Sequence, residues 1–237
     1  MSTAITFSRY GEPDVLTVST AEIPQPGPGQ VRIRVRAVAV NLIDVKIRSG
    51  HMDGIFPVSF PVTPGWDVAG VVDAAGENAT AAVGDEVLGV ATAGGYSEYA
   101  LLDQPVARPA GVSAETAAAL VTVGEAAVRG LRHLDVKPGQ TLLIHGAAGS
   151  VGTIAVQLAV ARGLTVIGTA AEEDLGRVAA LGATARTRFA QPWPYRMAAA
   201  PRAVTRSRSP AAAVPMTVGP WATASWTAIV PTLPAAP

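Results

Sequence analysis

Cysteine is absent from the 237 residues of this chain. The sequence therefore contains no disulfide framework, no thiolate ligand for zinc and no cysteine nucleophile. Histidine is also scarce, because His51, His133 and His145 are the three that occur, and no two of them have the spacing of metal ligands. These absences predict a protein that works without zinc.

Charged residues and long apolar runs are also under-represented. Charged residues make up 15% of the chain, against about 25% in an average soluble domain. No clean run reaches the roughly 18 apolar residues that a membrane helix needs, and no signal peptide is visible at the N-terminus. We therefore expect a cytoplasmic protein with no membrane partner.

Acidic residues are missing from the C-terminal part of the chain. Residues 186–237 hold no acid, but they contain six arginines, nine prolines and three of the four tryptophans. Proline at this density interrupts helices and central strands, so we expect an irregular, disordered tail of low complexity. One hypothesis is that a shifted reading frame or another replacement produced the tail. The alternative is a genuine basic tail that binds an acidic partner.

The N-terminal part reads as short strands separated by turns rich in Gly and Pro. Val31–Val38 alternates apolar residues with arginines, which predicts a strand with one buried and one solvated face. Similar short segments recur up to about residue 110 and predict a small β-barrel. The alternation and the neighbouring acids argue against a nucleic-acid surface.

Two helical stretches follow the first strands. Asn41–Gly50 predicts a short helix in which Asn41 is the N-cap and Asp44 is the acidic member of a capping box. This structural role and a functional role for both residues stay open at this point. Further on, we expect one helix after Ser113 and a second over Val123–His133.

A glycine-rich turn lies between two apolar runs, Thr141–Ile144 and Leu164–Ile167, and a helical pattern covers Thr153–Arg162. The order strand, turn, helix, strand is the opening unit of a dinucleotide-binding sheet. The turn carries three glycines, at positions 146, 149 and 152.

Each of the three glycines has a chemical reason to be there. Gly146 allows a sharp turn off the strand, Gly149 lets a pyrophosphate approach the backbone, and Gly152 lets the helix pack closely. The helix N-terminus then offers N–H groups and partial positive charge to phosphates. The pattern thus predicts a dinucleotide site.

Several landmarks together resemble the medium-chain dehydrogenase/reductase superfamily, and within it the zinc-free quinone oxidoreductases and enoyl reductases. The landmarks are Asn41-x-x-Asp44-x-x-x-Arg48-x-Gly50, Pro64-Gly65-x-Asp67-x-Ala69-Gly70-x-Val72, Gly84-Asp85-x-Val87, the stretch from Gly95 to Ala100, and Ala147-Ala148-Gly149-Ser150-Val151-Gly152. Zinc-dependent relatives carry Gly-His-Glu where this chain has Gly65-Trp66-Asp67.

The resemblance implies an α/β plus β fold in three parts. These are a GroES-like β-barrel over residues 1–110, a partial Rossmann domain with a doubly wound parallel sheet over 111–185, and the irregular tail over 186–237. It implies catalytic roles for Asn41 and Asp44. The implied cofactor-binding positions are Gly146, Ala147, Ala148, Gly149, Ser150, Val151, Gly152 and Thr169.

The resemblance also implies a reaction, namely hydride transfer from NADPH, with NADH possible, to a quinone or an α,β-unsaturated carbonyl. It implies a homodimer formed through the nucleotide-binding domains, although the sheet edge that normally forms this contact is expected to be missing here. The alternative is a non-catalytic fragment that at most binds a nucleotide or a partner chain. Because the pattern stops after about residue 185, we expect weak or absent activity.

Overall fold

The computed structural model describes residues 1–187 and 214–216. The chain divides into two compact units, and the division falls between Thr122 and Val123. We call the first the barrel unit and the second the nucleotide unit. No helix among the described residues is both long and apolar enough to cross a bilayer.

The barrel unit is built mainly from short strands. They are β1 (Ser2–Thr6), β2 (Thr17–Ala21), β3 (Val31–Val38), β4 (Asp67–Ala75), β5 (Glu86–Val90), β6 (Tyr99–Leu102) and β7 (Val106–Ala107). Helix α1 spans Leu42–Arg48, and helix α2 begins in this unit at Ala114 and ends at His133 in the nucleotide unit. A 3-10 turn at Pro13–Val15 lies between β1 and β2.

The main sheet of the barrel unit is antiparallel, in the order β6-β3-β4-β5-β7. It curls so that Ala91, just after β5, bridges Leu102 of β6, and Thr92 N–H donates to the Leu101 carbonyl at 3.0 Å. This contact joins the segment after β5 to β6 and so closes the sheet on itself. The predicted small barrel is thereby confirmed.

The alternation in β3 works as predicted. Val31 and Ile33 are fully buried, while Arg34 and Arg36 are exposed. The buried residues join the barrel core, whose members are Val31, Ile33, Val68, Val72, Val87, Ala91, Ala100 and Leu102. The period-2 pattern therefore places one face of the strand in the core.

The expectation of two helices between residues 113 and 133 is wrong, because α2 is one continuous helix. Gly124 lies inside this helix, and a single glycine there costs only about 1 kcal/mol relative to alanine. The surrounding residues include many alanines and no proline, so the helix continues through this position.

The nucleotide unit is a parallel sheet with helices between its strands. It consists of β8 (Thr141–His145), α3 (Ser150–Ala161), β9 (Thr165–Ala170), a 3-10 turn (Glu172–Asp174), α4 (Leu175–Ala180), β10 (Thr184–Thr187) and β11 (Val214–Met216). The described strands pair in the order β10-β9-β8-β11. All these pairs are parallel, and the order matches the first four strands of a dinucleotide-binding sheet, in which the chain places its later strands on the other side of the first one, here β8.

The predicted tail lies mostly outside the described residues, namely at 188–213 and 217–237. Two described parts of it form strands that the sequence did not indicate. Arg186 and Thr187 end β10, and β11 pairs with β8 in parallel over three residues. Pro215 lies in β11 at one end of the described strand order, a position where proline is tolerated.

Candidate active site

The N-terminus of α1 positions Asn41 and Asp44, the two predicted catalytic residues. Asn41 has an extended backbone (φ −103°, ψ 156°), and its N–H donates to Asp44 Oδ2 at 2.7 Å. This is the acidic half of a capping box, as the sequence predicted. Asp44 is only 5% exposed, so the cap also brings a carboxyl group into the protein interior.

A tyrosine from a distant segment reaches the same carboxyl group. Tyr96, which precedes β6, donates its phenol O–H to Asp44 Oδ2 at 3.1 Å, across 52 residues of sequence. Burial and the neighbouring Asp44 carboxyl raise the pKa of Tyr96 above its ordinary value. The phenol therefore remains a hydrogen-bond donor at physiological pH.

Asp44 has an unusual protonation equilibrium. Burial raises the pKa of Asp44 to about 6, the hydrogen bonds from Asn41 and Tyr96 act in the opposite direction, and the charge of Asp67 raises it further. Because the result lies near neutrality, the group can both hold and release a proton under ordinary conditions.

Asp67 is a second buried carboxylate, with no exposed surface. It accepts hydrogen bonds from Asn41 Nδ2 at 2.9 Å, from Thr122 N–H at 3.0 Å and from Thr122 Oγ1 at 2.7 Å. These donors offset the cost of burying a carboxylate. Asn41 thus connects both carboxyl groups, through its backbone to Asp44 and through its side chain to Asp67.

Gly65 makes room for the tyrosine. Its φ of +83° is a left-handed conformation that favours glycine, and an added Cβ would lie 2.2 Å from the ring of Tyr96. The backbone around the ring is also held, because Tyr96 N–H donates to Pro64 O at 3.0 Å and Gly95 N–H donates to Gly65 O at 2.7 Å.

A cleft of about 510 Å³ opens beside Asp44 in the barrel unit. It is lined by Asp44, Ile47, Phe56, Pro57, Val58, Ser59, Pro61, Val62, Thr63, Pro64, Gly65, Trp66, Thr92, Ala93 and Gly94. Within the part of the chain that the structure describes, Asp44 is the one titratable side chain in this lining. Such a site suits a small, largely apolar molecule that meets one acid.

In the nucleotide unit, the glycine-rich turn has the predicted geometry. Gly146 adopts a φ of +70°, and Gly149 is the N-cap of α3. A Cβ at Gly152 would lie 2.2 Å from the Gly146 carbonyl oxygen, so the helix begins in close contact with the turn. The first N–H groups of α3 have no partner within the helix, so the turn fits a pyrophosphate group.

The far side of this turn contacts β9 and α4. Ala147 N–H donates to Thr169 O at 2.9 Å, and the Thr169 hydroxyl lies 3.0 Å from His145 Nδ1. Thr169 is 3% exposed, so its hydroxyl lies inside the unit. Arg177 of α4 donates to the Ala148 carbonyl at 2.9 Å and pairs with Asp174 at the same distance.

Comparison with known proteins agrees with these features. Residues 27–132 match the family model described as the alcohol dehydrogenase GroES-like domain. The chain is 41% identical to the quinone oxidoreductase of Sus scrofa over 180 residues, which are 73% of this chain and 54% of that protein. The chain belongs to the medium-chain dehydrogenase/reductase superfamily. It spans about half the length of the curated relatives it matches.

Solved structures of superfamily members also resemble this chain in three dimensions. A quinone oxidoreductase from Coxiella burnetii superposes with a TM-score of 0.70 at 33% identity, covering 78% of this chain and 61% of that one. A mycobacterial protein complexed with NADPH gives a TM-score of 0.70 at 32% identity, covering 79% and 58%. The predicted combination of a GroES-like barrel and a partial Rossmann sheet is confirmed.

The predicted site residues fall into two groups, each within one unit. Asn41 and Asp44 lie together in the barrel unit, and the eight predicted cofactor-binding positions, Gly146 to Gly152 and Thr169, lie together in the nucleotide unit. Their roles towards a substrate or cofactor stay predictions. Sequence reasoning missed Tyr96 and Thr122, whose partners are 52 and 55 residues away and leave no local pattern.

Proposed function

We propose that this chain carries the barrel and the first nucleotide-binding half of a zinc-independent, NAD(P)H-dependent reductase. Its substrate class is quinones and α,β-unsaturated carbonyl compounds. The observation that carries this proposal is Asp44, a buried acid in the lining of an otherwise uncharged cleft. Reduction of a carbonyl by hydride also consumes a proton, and Asp44 is a suitable donor.

The glycine-rich turn supports the cofactor part of the proposal. When bound, reduced nicotinamide supplies the hydride, and the protein contributes position and electrostatics. The N–H groups at the start of α3, after Gly149, would hold the pyrophosphate. We favour NADPH over NADH because a relative of similar fold is complexed with NADPH and because Arg177 places a cation beside the turn.

Zinc independence rests on the side chains that are present. The chain has no cysteine, and residues 1–187 contain no group of three or more His, Asp or Glu side chains placed to hold a metal ion. We therefore expect turnover to be unchanged after exhaustive treatment with a chelator such as 1,10-phenanthroline. A loss of activity that added zinc restores would contradict this part of the proposal.

A second candidate is a module that binds a nucleotide or a partner chain without turnover. It is favoured by the four described strands of the parallel sheet and by the chain's coverage of about half the length of its relatives. Hydride transfer needs the nicotinamide and the substrate held together, so this candidate predicts nucleotide binding with weak or no turnover.

One experiment separates the two candidates. Purified chain 1–237 is titrated with NADPH and NADH by fluorescence, and NADPH oxidation is followed in the same sample with 9,10-phenanthrenequinone. Binding with steady turnover supports the reductase, and binding without turnover supports the second candidate. If neither nucleotide binds, the proposed cofactor role of Gly146–Gly152 in this chain is wrong.

A further inference from the structure

The carboxyl group of Asp44 is held asymmetrically. Both Asn41 N–H and Tyr96 O–H donate to the same oxygen, Oδ2, at 2.7 and 3.1 Å. Oδ1 is therefore the oxygen on which a proton would be carried. The two donors hold the carboxyl group in one orientation. Because Asp44 lines the cleft, the other oxygen is left to exchange a proton with a molecule bound there.

Tyr96 has little freedom to leave this position. Its ring lies against Gly65, where any side chain would collide with it. Its carbonyl accepts the Ile5 N–H at 2.8 Å, and its own N–H is bonded to Pro64. Tyr96 is thus held by two separate segments of the barrel unit, Pro64–Gly65 and Ile5, and a fixed donor stabilises an anion without reorganisation.

We propose that Tyr96 is a positioning residue that orients Asp44 for proton delivery into the cleft and stabilises the carboxylate that remains. This inference rests on the proposed reductase function. The substrate gains two electrons as hydride from a reduced nicotinamide. The O–H bond at Asp44 Oδ1 breaks as a new O–H bond forms on the substrate oxygen, and solvent returns the proton to Asp44.

Two titratable groups face Asp44, from different elements. Tyr96, from the segment before β6, stabilises the carboxylate by a hydrogen bond, whereas Asp67, from β4, disfavours it by its negative charge. Lys46 and Arg48 share helix α1 with Asp44, and Arg48 points its guanidinium to the Gly11 carbonyl. Because Tyr96 lowers the pKa of Asp44 and Asp67 raises it, substitutions at the two residues should shift this pKa in opposite directions.

The test uses Tyr96→Phe in the full chain, which removes the hydroxyl and keeps the ring. The pH at which the Asp44 carboxyl titrates is measured by ¹³C NMR without cofactor. We expect Tyr96→Phe to move the midpoint upward by on the order of one pH unit, and Asp67→Asn to move it downward. Tyr99→Phe, whose ring faces Arg32, is the matched control and leaves it unchanged.

Kinetics provide the second readout. Because the protonated acid is the donor, kcat falls as the pH rises above the pKa of Asp44. Tyr96→Phe should lower kcat about tenfold, leave KM nearly unchanged and shift the falling limb to higher pH. A variant that loses thermal stability but keeps the wild-type NMR midpoint and pH limb would overturn the inference. If wild type shows no turnover while the midpoints shift as expected, the proposed function fails and the Tyr96–Asp44 coupling stands.

Discussion

The barrel unit and the nucleotide unit assemble their candidate residues in different ways. In the barrel unit, Asp44 depends on Tyr96, and Asp67 depends on Thr122, across 52 and 55 residues of sequence. In the nucleotide unit, the turn from Gly146 to Gly152 is made by neighbours in sequence, through backbone conformation and close packing. The first site requires the folded barrel, whereas the backbone of the glycine-rich turn is encoded within a single strand, turn and helix, and only Thr169 joins it from β9.

This difference affects the chemistry that each unit can perform. Backbone N–H groups bind a phosphate without any titration, so the turn should be insensitive to pH. A buried carboxyl instead has a protonation state that every neighbour changes. The following predictions test this contrast in order of decreasing effect.

The largest effect is expected for Asp44→Asn, which keeps the shape of the side chain but has no acidic proton. Turnover should fall by about 100-fold or more, as expected for loss of a general acid, while NADPH binding stays within about twofold. The measurement is kcat with 9,10-phenanthrenequinone alongside a fluorescence titration. Retention of more than half of the wild-type kcat would exclude Asp44 as the proton donor.

The same variant should be more stable than wild type at high pH. The folded pKa of Asp44 is about 6 against 3.8 for the free side chain, so its contribution to stability is fully present below 3.8 and is lost as the pH rises through 6. Asp44→Asn should therefore gain up to about 3 kcal/mol at pH 8 and about half of that at pH 5. Urea unfolding at both pH values measures this, and an equal gain at both would contradict the raised pKa.

Gly152→Ala tests the locally encoded site. The new Cβ would lie 2.2 Å from Gly146 O and 2.8 Å from Ala147 Cα, so α3 has to shift away from the turn. A forced shift of this kind costs roughly 1–3 kcal/mol, which corresponds to about a 5- to 150-fold loss of NADPH affinity. Gly176→Ala is the matched control, because a Cβ there has nothing within 4 Å. Equal affinities for both variants would disprove the role of Gly152.

Thr122→Val tests the long-range contact of Asp67. The substitution removes the hydroxyl that donates to Asp67 Oδ1 at 2.7 Å and leaves a buried carboxylate oxygen without that donor. We expect a loss of about 1–3 kcal/mol in unfolding free energy. Thr116→Val, on the same helix with its hydroxyl bonded only locally to Ser113, should change it by less than about 0.5 kcal/mol.

Thr169→Val gives the smallest expected change. It removes the contact between the Thr169 hydroxyl and His145 Nδ1, which should cost about 1 kcal/mol of stability. The predicted cofactor role of Thr169 requires a loss of NADPH affinity in addition. If calorimetry finds unchanged affinity in a destabilised variant, the hydroxyl acts on His145 alone.

Much of the local structure could be predicted from the sequence. The predicted strand Val31–Val38 has the same bounds as β3, and the apolar run from Thr141 matches β8 to within one residue. The Asn41 cap and the left-handed Gly146 also follow local rules. The continuous α2 was not predicted, because two helices were expected where the alanine-rich residues on both sides of Gly124 continue as one.

The sequence by itself determined the features that depend on composition or on neighbouring residues. These are the absence of thiolate ligands, the barrel-forming strands and the spacing of Gly146, Gly149 and Gly152. Only the tertiary structure decided that Tyr96 meets Asp44 and that Asp67 lies close enough to influence it. The physical reason is that a pKa depends on burial and on charges in space, and both arise only when distant segments of the barrel pack together.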